Sequence, residues 1–418
     1  MLLRTITWAL AAQALYSLAN LGAQWSLARY APKEQFALYV QALSMLGLIG
    51  TIYTSMFVSP YGVLLARVRG AEESSEYVRE VFSAQFWLAC LLAIFGALAF
   101  SAASIASDSY VDSSVTIGFL IGAFGLLVRD CVRTTLFGRH LISRAFSYDV
   151  IYLGTLAAAL VILVATNSLS ATTVLFAAGT LALLSAATSI WESAATSWTS
   201  RTSARARELW EHGRWEFASS CCAWIYGQGW IWVVLLIGGP HKLAELAAAR
   251  LLLAPLGMLW PGLANVFRPI FSDRLGRGAN TSARHALILG LGIVAAASIA
   301  YAIVSFAFWD GISSVVFGEA YSFTTIDLVA WLLYFSLTGV NTMLGNLVRG
   351  ALHFRSMTRG YLAAALVSVF VCLVIAWQES DTSKILWALV AAELALCASL
   401  LATIAGGMLS ANLRRAAN

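Results

Sequence analysis

The sequence predicts an all-α integral membrane protein of about 12 transmembrane helices, arranged as two six-helix lobes that are related by an internal repeat. Three observations support this prediction. Hydrophobic residues make up 60% of the 418 residues and charged residues only 11%, and the mean hydropathy is +0.78. The apolar residues form regularly spaced runs, and arginines gather in alternate connectors between those runs. Soluble domains contain about 25% charged residues, so a soluble fold is excluded.

Each apolar run is long enough to cross the roughly 30 Å of a bilayer core as a helix. The runs lie at about 5–28, 36–58, 81–104, 114–137, 148–166, 171–196, 215–237, 243–266, 286–308, 325–348, 360–377 and 385–409. The short connectors leave no room for a sizeable domain outside the membrane. The six cysteines all lie in or at the ends of runs, which indicates packing residues and not a disulfide framework or a metal site.

The charged residues predict the orientation of the chain. Every second connector is rich in arginine, and connectors of this kind face the cytoplasm. Arginines also lie near both ends, at Arg4 and at Arg414 and Arg415. Both termini are therefore expected in the cytoplasm.

An internal repeat predicts the two lobes. The RxxLxxR pattern that starts at Arg133, at the end of the fourth run, recurs at Arg349, at the end of the tenth, and 349 − 133 gives an offset of 216 residues. The strongly basic segment 201–214 lies near the midpoint. We therefore expect an N-terminal lobe at 1–200, a cytoplasmic linker at 201–214 and a C-terminal lobe at 215–418. Repeats in the same orientation build transporters whose substrate site lies between the repeats.

The first run contains a polar stripe. Gln13, Ser17, Asn20 and Gln24 are spaced by four, three and four residues, which places them on one face of a helix. A second stripe in the next run begins at Gln41. Polar groups are costly against lipid, so these stripes indicate either hydrogen bonds between helices or the wall of a hydrated cavity. In the second interpretation all five residues bind substrate.

Arg250 is the sharpest candidate for substrate binding. It lies about seven residues, or roughly 10 Å, inside the eighth run, and the nearest acid in sequence is Glu245. An arginine at this depth needs water, a partner or an anion. It is interpreted either as a structural ion pair or as a bidentate phosphate ligand. Asn265 lies farther along the same run and is expected to contact substrate as well.

Two further groups of charged residues have candidate roles. Arginines at the inner ends of the fourth and tenth runs predict a basic rim, formed by Arg129, Arg133, Arg139, Arg349 and Arg355. Such a rim sets topology and contacts anionic headgroups, and it also attracts an anionic lipid substrate. Glu393 lies deep in the last run, where a carboxyl group can carry a coupling proton.

The sequence contains no HExxH, GxxxxGK or GxSxG motif, and nothing in it requires an enzyme. No catalytic residue, cofactor, metal or nucleic-acid partner is therefore expected. A membrane polysaccharide polymerase or ligase stays an alternative, although such an enzyme would need a larger outer loop or a carboxylate that activates its acceptor.

Four segments together resemble the polysaccharide (Wzx-type) flippases of the multidrug/oligosaccharidyl-lipid/polysaccharide exporter superfamily. They are LARYAPKEQFALYVQALSMLGLI at 27–49, the two RxxLxxR ends, LWEHGRWEFAS at 209–219 and VVFGEAYS at 315–322. The resemblance implies a central cavity that opens alternately to either side of the bacterial inner membrane. The implied substrate is an undecaprenyl-pyrophosphate-linked oligosaccharide for O-antigen, capsule or exopolysaccharide assembly, and the implied partners are the bilayer and polysaccharide assembly proteins.

The position of Arg250 is similar to the cationic sites on the eighth helix of related lipid-linked flippases. The chain differs from the more cationic members because the middle of its first run contains no arginine. A cation-coupled multidrug exporter of the same superfamily is the alternative, and it would need an acid in its lobe cavity more than an arginine.

Overall fold

The computed structural model describes residues 17–58, 61, 71–106, 112–138, 141–193, 200–317, 321, 324–351, 354–378 and 384–417. Within these ranges the chain is helical almost throughout and contains no strand. The helices are α1 (17–30), α2 (Lys33–Tyr53), α3 (Ala71–Ala106), α4 (Ser113–Gly138), α5 (Ile142–Ala165), α6 (Ala171–Ser193), α7 (Ser200–Gly276), α8 (Asn280–Ala307), α9 (Trp309–Phe317), α10 (Thr325–Gly350), α11 (Phe354–Trp377) and α12 (Ile385–Ala417).

The predicted membrane spans coincide with these helices. Nine helices in the described ranges are long and apolar enough to cross a membrane, and one of them, Gly213–Gly276, contains both the seventh and the eighth predicted run. The described apolar part of α6 is shorter, at Ala171–Ala187, and the first predicted run is described only from residue 17. These three differences explain why nine such helices are counted where twelve spans were predicted.

Gly239 divides α7 into the two predicted spans. Its φ of 71° and ψ of −176° lie outside the helical region, and a positive φ is accessible to glycine at little cost. Pro240 follows and has no amide hydrogen to continue the helical bonds. We call the parts before and after Gly239 the first and second segments of α7.

The chain forms two compact units, Met1–Cys221 and Cys222–Asn418. Residues 201–214, predicted as a linker, lie within the first segment of α7. Both units expose large apolar side chains, such as Val161 at 68% and Phe370 at 68%. Apolar surface on this scale is stable in contact with lipid and not with water, so the chain is a multi-pass membrane protein.

Glycines bring α4 and α6 together in the N-terminal unit. A Cβ atom on Gly125 would lie 2.1 Å from the carbonyl oxygen of Gly179, and one on Gly122 would lie 3.1 Å from that of Leu175. Membrane helices associate largely through close packing, because lipid is as apolar as their side chains. The glycines therefore allow the close backbone approach that holds α4 against α6.

Two tryptophans join the second segment of α7 to α10 in the C-terminal unit. Trp260 Nε1 donates to the carbonyl oxygen of Phe335 at 2.8 Å, and Trp331 Nε1 donates to that of Leu246 at 3.1 Å. Each helix thus supplies one indole donor and one backbone acceptor. A Cβ atom on Gly339 would lie 2.8 Å from Trp260, so this glycine makes room for the indole.

Candidate functional site

The second segment of α7 carries Arg250 into the C-terminal unit. Its side chain is half-buried, and its Cζ atom lies 5.9 Å from the centroid of the Trp331 ring. No hydrogen bond or ion pair joins Arg250 to any residue in the described ranges. Glu245, the nearest acid in sequence, lies 3.6 Å from the Lys242 ammonium. The charge of Arg250 is therefore not neutralised by the part of the chain that the structure describes.

An aromatic cluster surrounds Trp331, whose ring lies beneath Arg250. Trp331 is fully buried, and its ring centroid lies 5.1 Å from that of Trp230, 5.6 Å from that of Tyr334 and 6.0 Å from that of Phe335. The hydrogen bond from Trp331 to the backbone of α7 fixes the orientation of the indole. A guanidinium group within about 6 Å of an indole face gains a favourable cation–π interaction. The cluster thus orients the arginine without removing its charge.

A second polar group lies on α10 and α12 of the same unit. Glu393 is 1% exposed, and Asn341 Nδ2 donates to its Oε2 at 2.5 Å and to its backbone oxygen at 2.8 Å. The Thr338 hydroxyl lies 2.8 Å from Glu393 Oε1 and also 2.8 Å from the carbonyl oxygen of Tyr334. A hydroxyl has one proton and cannot donate to both. The Thr338 hydroxyl therefore donates to one of these two oxygens at a time, and Glu393 accepts side-chain hydrogen bonds from Thr338 and Asn341.

Tyr334 connects the two polar groups. Its ring contacts Trp331, which lies beneath Arg250, and its carbonyl oxygen lies within hydrogen-bond distance of the Thr338 hydroxyl, which contacts Glu393. Arg250, Trp331, Tyr334 and Glu393 therefore form one continuous cluster inside the C-terminal unit, which we call the α7–α10–α12 cluster. It contains a cation that has no counter-ion among the described residues and a carboxyl group that has two hydrogen-bond partners.

The polar stripe of the N-terminal unit is partly described. Ser17, Asn20 and Gln24 are half-buried, and Gln24 Nε2 donates to the Asn20 carbonyl oxygen at 3.3 Å. Gln41 is 1% exposed and donates to Ser104 Oγ on α3 at 3.0 Å, which is a contact between helices. Gln13 lies outside the described residues. The role of the stripe in substrate binding stays a prediction.

The predicted basic rim is not uniform. Arg129 is fully buried and forms an ion pair with Asp149 of α5, and Arg133 Nε lies 3.1 Å from the other carboxylate oxygen. Arg349 is half-buried and Arg355 is exposed. Arg139 and the side chain of Asn265 lie outside the described residues. Whether the rim recruits substrate stays a prediction.

Sequence reasoning missed Asp149 and the residues that surround Arg250 and Glu393. Asp149 was visible as an acid at the start of an apolar run, one helix away from Arg129 and Arg133. Trp331, Tyr334, Thr338 and Asn341 carried no signal of their own, because aromatic and hydroxyl residues are common in membrane helices. Their proximity is a property of helix packing between α7, α10 and α12.

The arrangement of the helices defines the class of fold, which is a two-lobed α-helical membrane fold. Comparison with known proteins specifies it further. No protein-family model and no curated protein sequence matches the chain. Solved structures do match, and they include an inward-facing multidrug resistance MATE family transporter of the MOP superfamily, with 14% identity, a TM-score of 0.74 and coverage of 96% of each chain.

Two other similar structures are lipid II flippase MurJ in an inward closed conformation and the eukaryotic MATE transporter AtDTX14. MurJ has a TM-score of 0.71 at 14% identity, with 96% of this chain and 87% of MurJ covered. AtDTX14 has a TM-score of 0.70 at 14% identity, with 96% and 95% covered. The chain therefore has the fold of the MOP-superfamily transporters, and the predicted fold class is confirmed.

Proposed function

We propose that the protein is a flippase that moves a lipid-linked oligosaccharide across the bacterial inner membrane by alternating access, for the assembly of a surface polysaccharide. The observation that carries this proposal is the half-buried Arg250, which has no described counter-ion and lies over the face of Trp331. The fold supports it, because one similar structure is a lipid II flippase.

The environment of Arg250 favours an anionic substrate. A charged residue in the middle of a membrane helix costs about 2.5–3.5 kcal/mol even on insertion scales, so the presence of Arg250 there favours an interaction that offsets this cost. A guanidinium group forms two parallel hydrogen bonds with a phosphate group. The diphosphate of an undecaprenyl-pyrophosphate-linked oligosaccharide supplies such an acceptor, and we assign Arg250 to it.

The N-terminal unit offers groups that suit the sugar. Ser17, Asn20 and Gln24 present hydroxyl and amide side chains on one face of α1 and are half-buried. Hydroxyls and amides both donate and accept, as sugar hydroxyls do. We propose that Gln13 extends this polar stripe, that Asn265 of the C-terminal unit also binds substrate, and that Arg349 and Arg355 attract the anionic lipid to the inner mouth.

Glu393 is the proposed coupling group. Glu393 is a buried carboxyl group that can bind a proton, and Asn341 Oδ1 has no hydrogen-bond partner within the described ranges. Release of this proton would change the hydrogen bonds between α10 and α12. We propose that proton binding and release at Glu393 drive the conformational cycle.

Transport of a labelled substrate tests the proposal. Proteoliposomes that contain the purified protein and a polyprenyl-diphosphate oligosaccharide with a fluorescent sugar should make the label accessible to a membrane-impermeant quencher on the opposite side. Arg250→Gln should slow this movement at least tenfold, whereas Arg277→Gln should not, because the exposed Arg277 lies just after α7 and pairs with Asp273 in the last turn of that helix. Equal rates in empty and protein-containing liposomes would refute the flippase.

A cation-coupled multidrug exporter is the second candidate, and the buried Glu393 favours it. Under this alternative, cells that express the protein accumulate less of a cationic dye, and the Glu393→Gln variant loses the effect. Under the flippase proposal, dye accumulation is unchanged and deletion of the gene removes the surface polysaccharide. A polymerase or ligase would instead lengthen or transfer sugar chains that have already reached the outer face.

A further inference from the structure

A groove of about 560 Å³ opens between α4, α5 and α6 of the N-terminal unit. Ile117 of α4, Ile162 of α5 and Phe176 of α6 form its sides and are each about half exposed. The remaining lining is apolar except for three hydroxyl residues, Ser114, Thr172 and Thr173. An apolar cavity of about 150 Å³ already accommodates a small hydrocarbon, so this larger groove has room for part of an acyl chain.

The sequence of the three helices creates the space. Glycine contacts draw α4 against α6, and Gly118 allows the first turn of α6 to approach, since a Cβ atom there would lie 3.1 Å from the carbonyl oxygen of Thr172. The side chains of Ala159 on α5 and Ala177 on α6 are small and leave the volume between these helices empty. A large side chain at either alanine would fill the groove.

The groove lies at the N-terminal ends of α4 and α6, whereas the arginine-rich sequence 139–144 follows the C-terminal end of α4. Ser114 lies in the first turn of α4, and Thr172 and Thr173 lie in the first turn of α6. From Thr172 to Ala177 the helix rises about 8 Å, so the groove extends one to two turns along α6 from its first turn. Because arginine-rich connectors face the cytoplasm, the orientation predicted from the sequence places the groove in the outer leaflet.

The mouth of the groove is negatively charged. Asp112 precedes α4 and is exposed, and its carboxylate accepts hydrogen bonds from Ser113 Oγ at 3.0 Å and from Ser114 Oγ at 3.2 Å. The hydrogen bonds from Ser113 and Ser114 lower the pKa of the Asp112 carboxyl, which is therefore ionised at neutral pH. A carboxylate beside the hydroxyl-lined end attracts an ammonium group and repels a second anion.

We propose that this groove binds one acyl chain of an outer-leaflet phospholipid whose headgroup carries an ammonium, namely phosphatidylethanolamine. A hydrocarbon chain gains little when it leaves the bilayer for an apolar groove, so the preference among lipids comes from Asp112 and the adjacent hydroxyls. The site is separate from the α7–α10–α12 cluster, and a diphosphate headgroup does not suit it because Asp112 repels the anion.

Native mass spectrometry of the full chain tests the proposal. The protein is delipidated and returned to an equal mixture of phosphatidylethanolamine and phosphatidylglycerol with identical acyl chains. The protein should retain phosphatidylethanolamine at least fivefold over phosphatidylglycerol. Asp112→Asn should abolish the preference, and Ala177→Phe should remove the retained lipid. Ala158→Phe is the matched control, because Ala158 is exposed on α5 outside the groove and should keep the lipid.

Two results would overturn the proposal. One is equal retention of both lipids by the unaltered protein, which would indicate adventitious annular lipid. The other is full retention by Ala177→Phe. If Ala177→Phe does not fold, Ala159→Phe fills the groove from α5 and is judged by the same two criteria.

Discussion

The guanidinium of Arg250 lies over the indole ring of Trp331, whose Nε1 donates a hydrogen bond to the carbonyl oxygen of Leu246, one turn before Arg250 on the same helix. The helix that carries the cation thus also fixes the ring beneath it. This relationship explains how a charged side chain keeps a defined position in a membrane helix without an ion pair in the described chain. It also makes the position of Arg250 depend on Trp331.

Replacement of Trp331 should therefore affect transport more than its effect on stability predicts. Trp331→Leu and Trp260→Leu each remove a buried indole and one hydrogen bond to a facing backbone carbonyl, and each should cost about 3 kcal/mol of stability. Of these two tryptophans, Trp331 is the one that lies beneath Arg250. At temperatures where both variants are folded, measured by thermal denaturation in detergent, Trp331→Leu should translocate substrate at least tenfold more slowly than Trp260→Leu. Equal rates would show that the indole has no role beyond packing.

Glu393→Gln should fold normally but lose its response to protons. The amide can donate to Thr338 and accept from Asn341, so both side-chain contacts survive and stability should change by less than about 1 kcal/mol. The translocation rate of the unaltered protein should change with an imposed pH gradient across the liposome, and that of Glu393→Gln should not. Glu245→Gln, which removes a carboxylate near Lys242, should keep the pH response. A pH response that persists in Glu393→Gln would exclude Glu393 as the coupling group.

Asp149 should matter more for stability than either arginine that it contacts. Asp149→Leu leaves Arg129 and Arg133 without this carboxylate, whereas Arg129→Leu leaves Asp149 paired with Arg133. Loss of one partner from a buried pair costs about 3–5 kcal/mol. The free energy of unfolding should therefore fall by this amount or more in Asp149→Leu and by less in Arg129→Leu. The exposed pair Arg277–Asp273 provides the control, since its removal should cost less than about 1 kcal/mol. Chemical denaturation in detergent measures all three, and the reverse order for Asp149 and Arg129 would contradict the geometry.

Gly125→Ala should destabilise the N-terminal unit. The added methyl group would meet the Gly179 carbonyl at 2.1 Å, and forcing α4 and α6 apart should cost about 1–3 kcal/mol. Gly154→Ala is the matched control, because a Cβ atom there meets nothing within 4 Å, and the better helix propensity of alanine should stabilise α5 by about 0.5–1 kcal/mol. The thermal midpoints of the two variants should therefore shift in opposite directions. A higher midpoint for Gly125→Ala would show that α4 and α6 can separate freely.

The fold was predictable from sequence because bilayer thickness sets the length of each apolar run. Even the break between the seventh and eighth runs was visible, since Gly239 and Pro240 interrupt the helical pattern. Arg250 and Glu393 were also found, because a charged residue in an apolar run is conspicuous. Their surroundings were not, because Trp331, Thr338 and Asn341 meet them only through the packing of α7, α10 and α12. The ion pair of Arg129 with Asp149 was missed for the same reason, since it joins two helices.

The affinity of the purified protein for a polyprenyl diphosphate, measured by isothermal titration calorimetry in detergent, tests the role of Arg250 most directly. Charge-assisted hydrogen bonds contribute about 1.5–3 kcal/mol, so Arg250→Gln should weaken binding roughly 10- to 150-fold. Arg250→Lys should give an intermediate loss, because an ammonium group binds as a point charge, and Arg277→Gln should bind normally. An Arg250→Gln variant that binds the diphosphate as tightly as the unaltered protein would contradict the account.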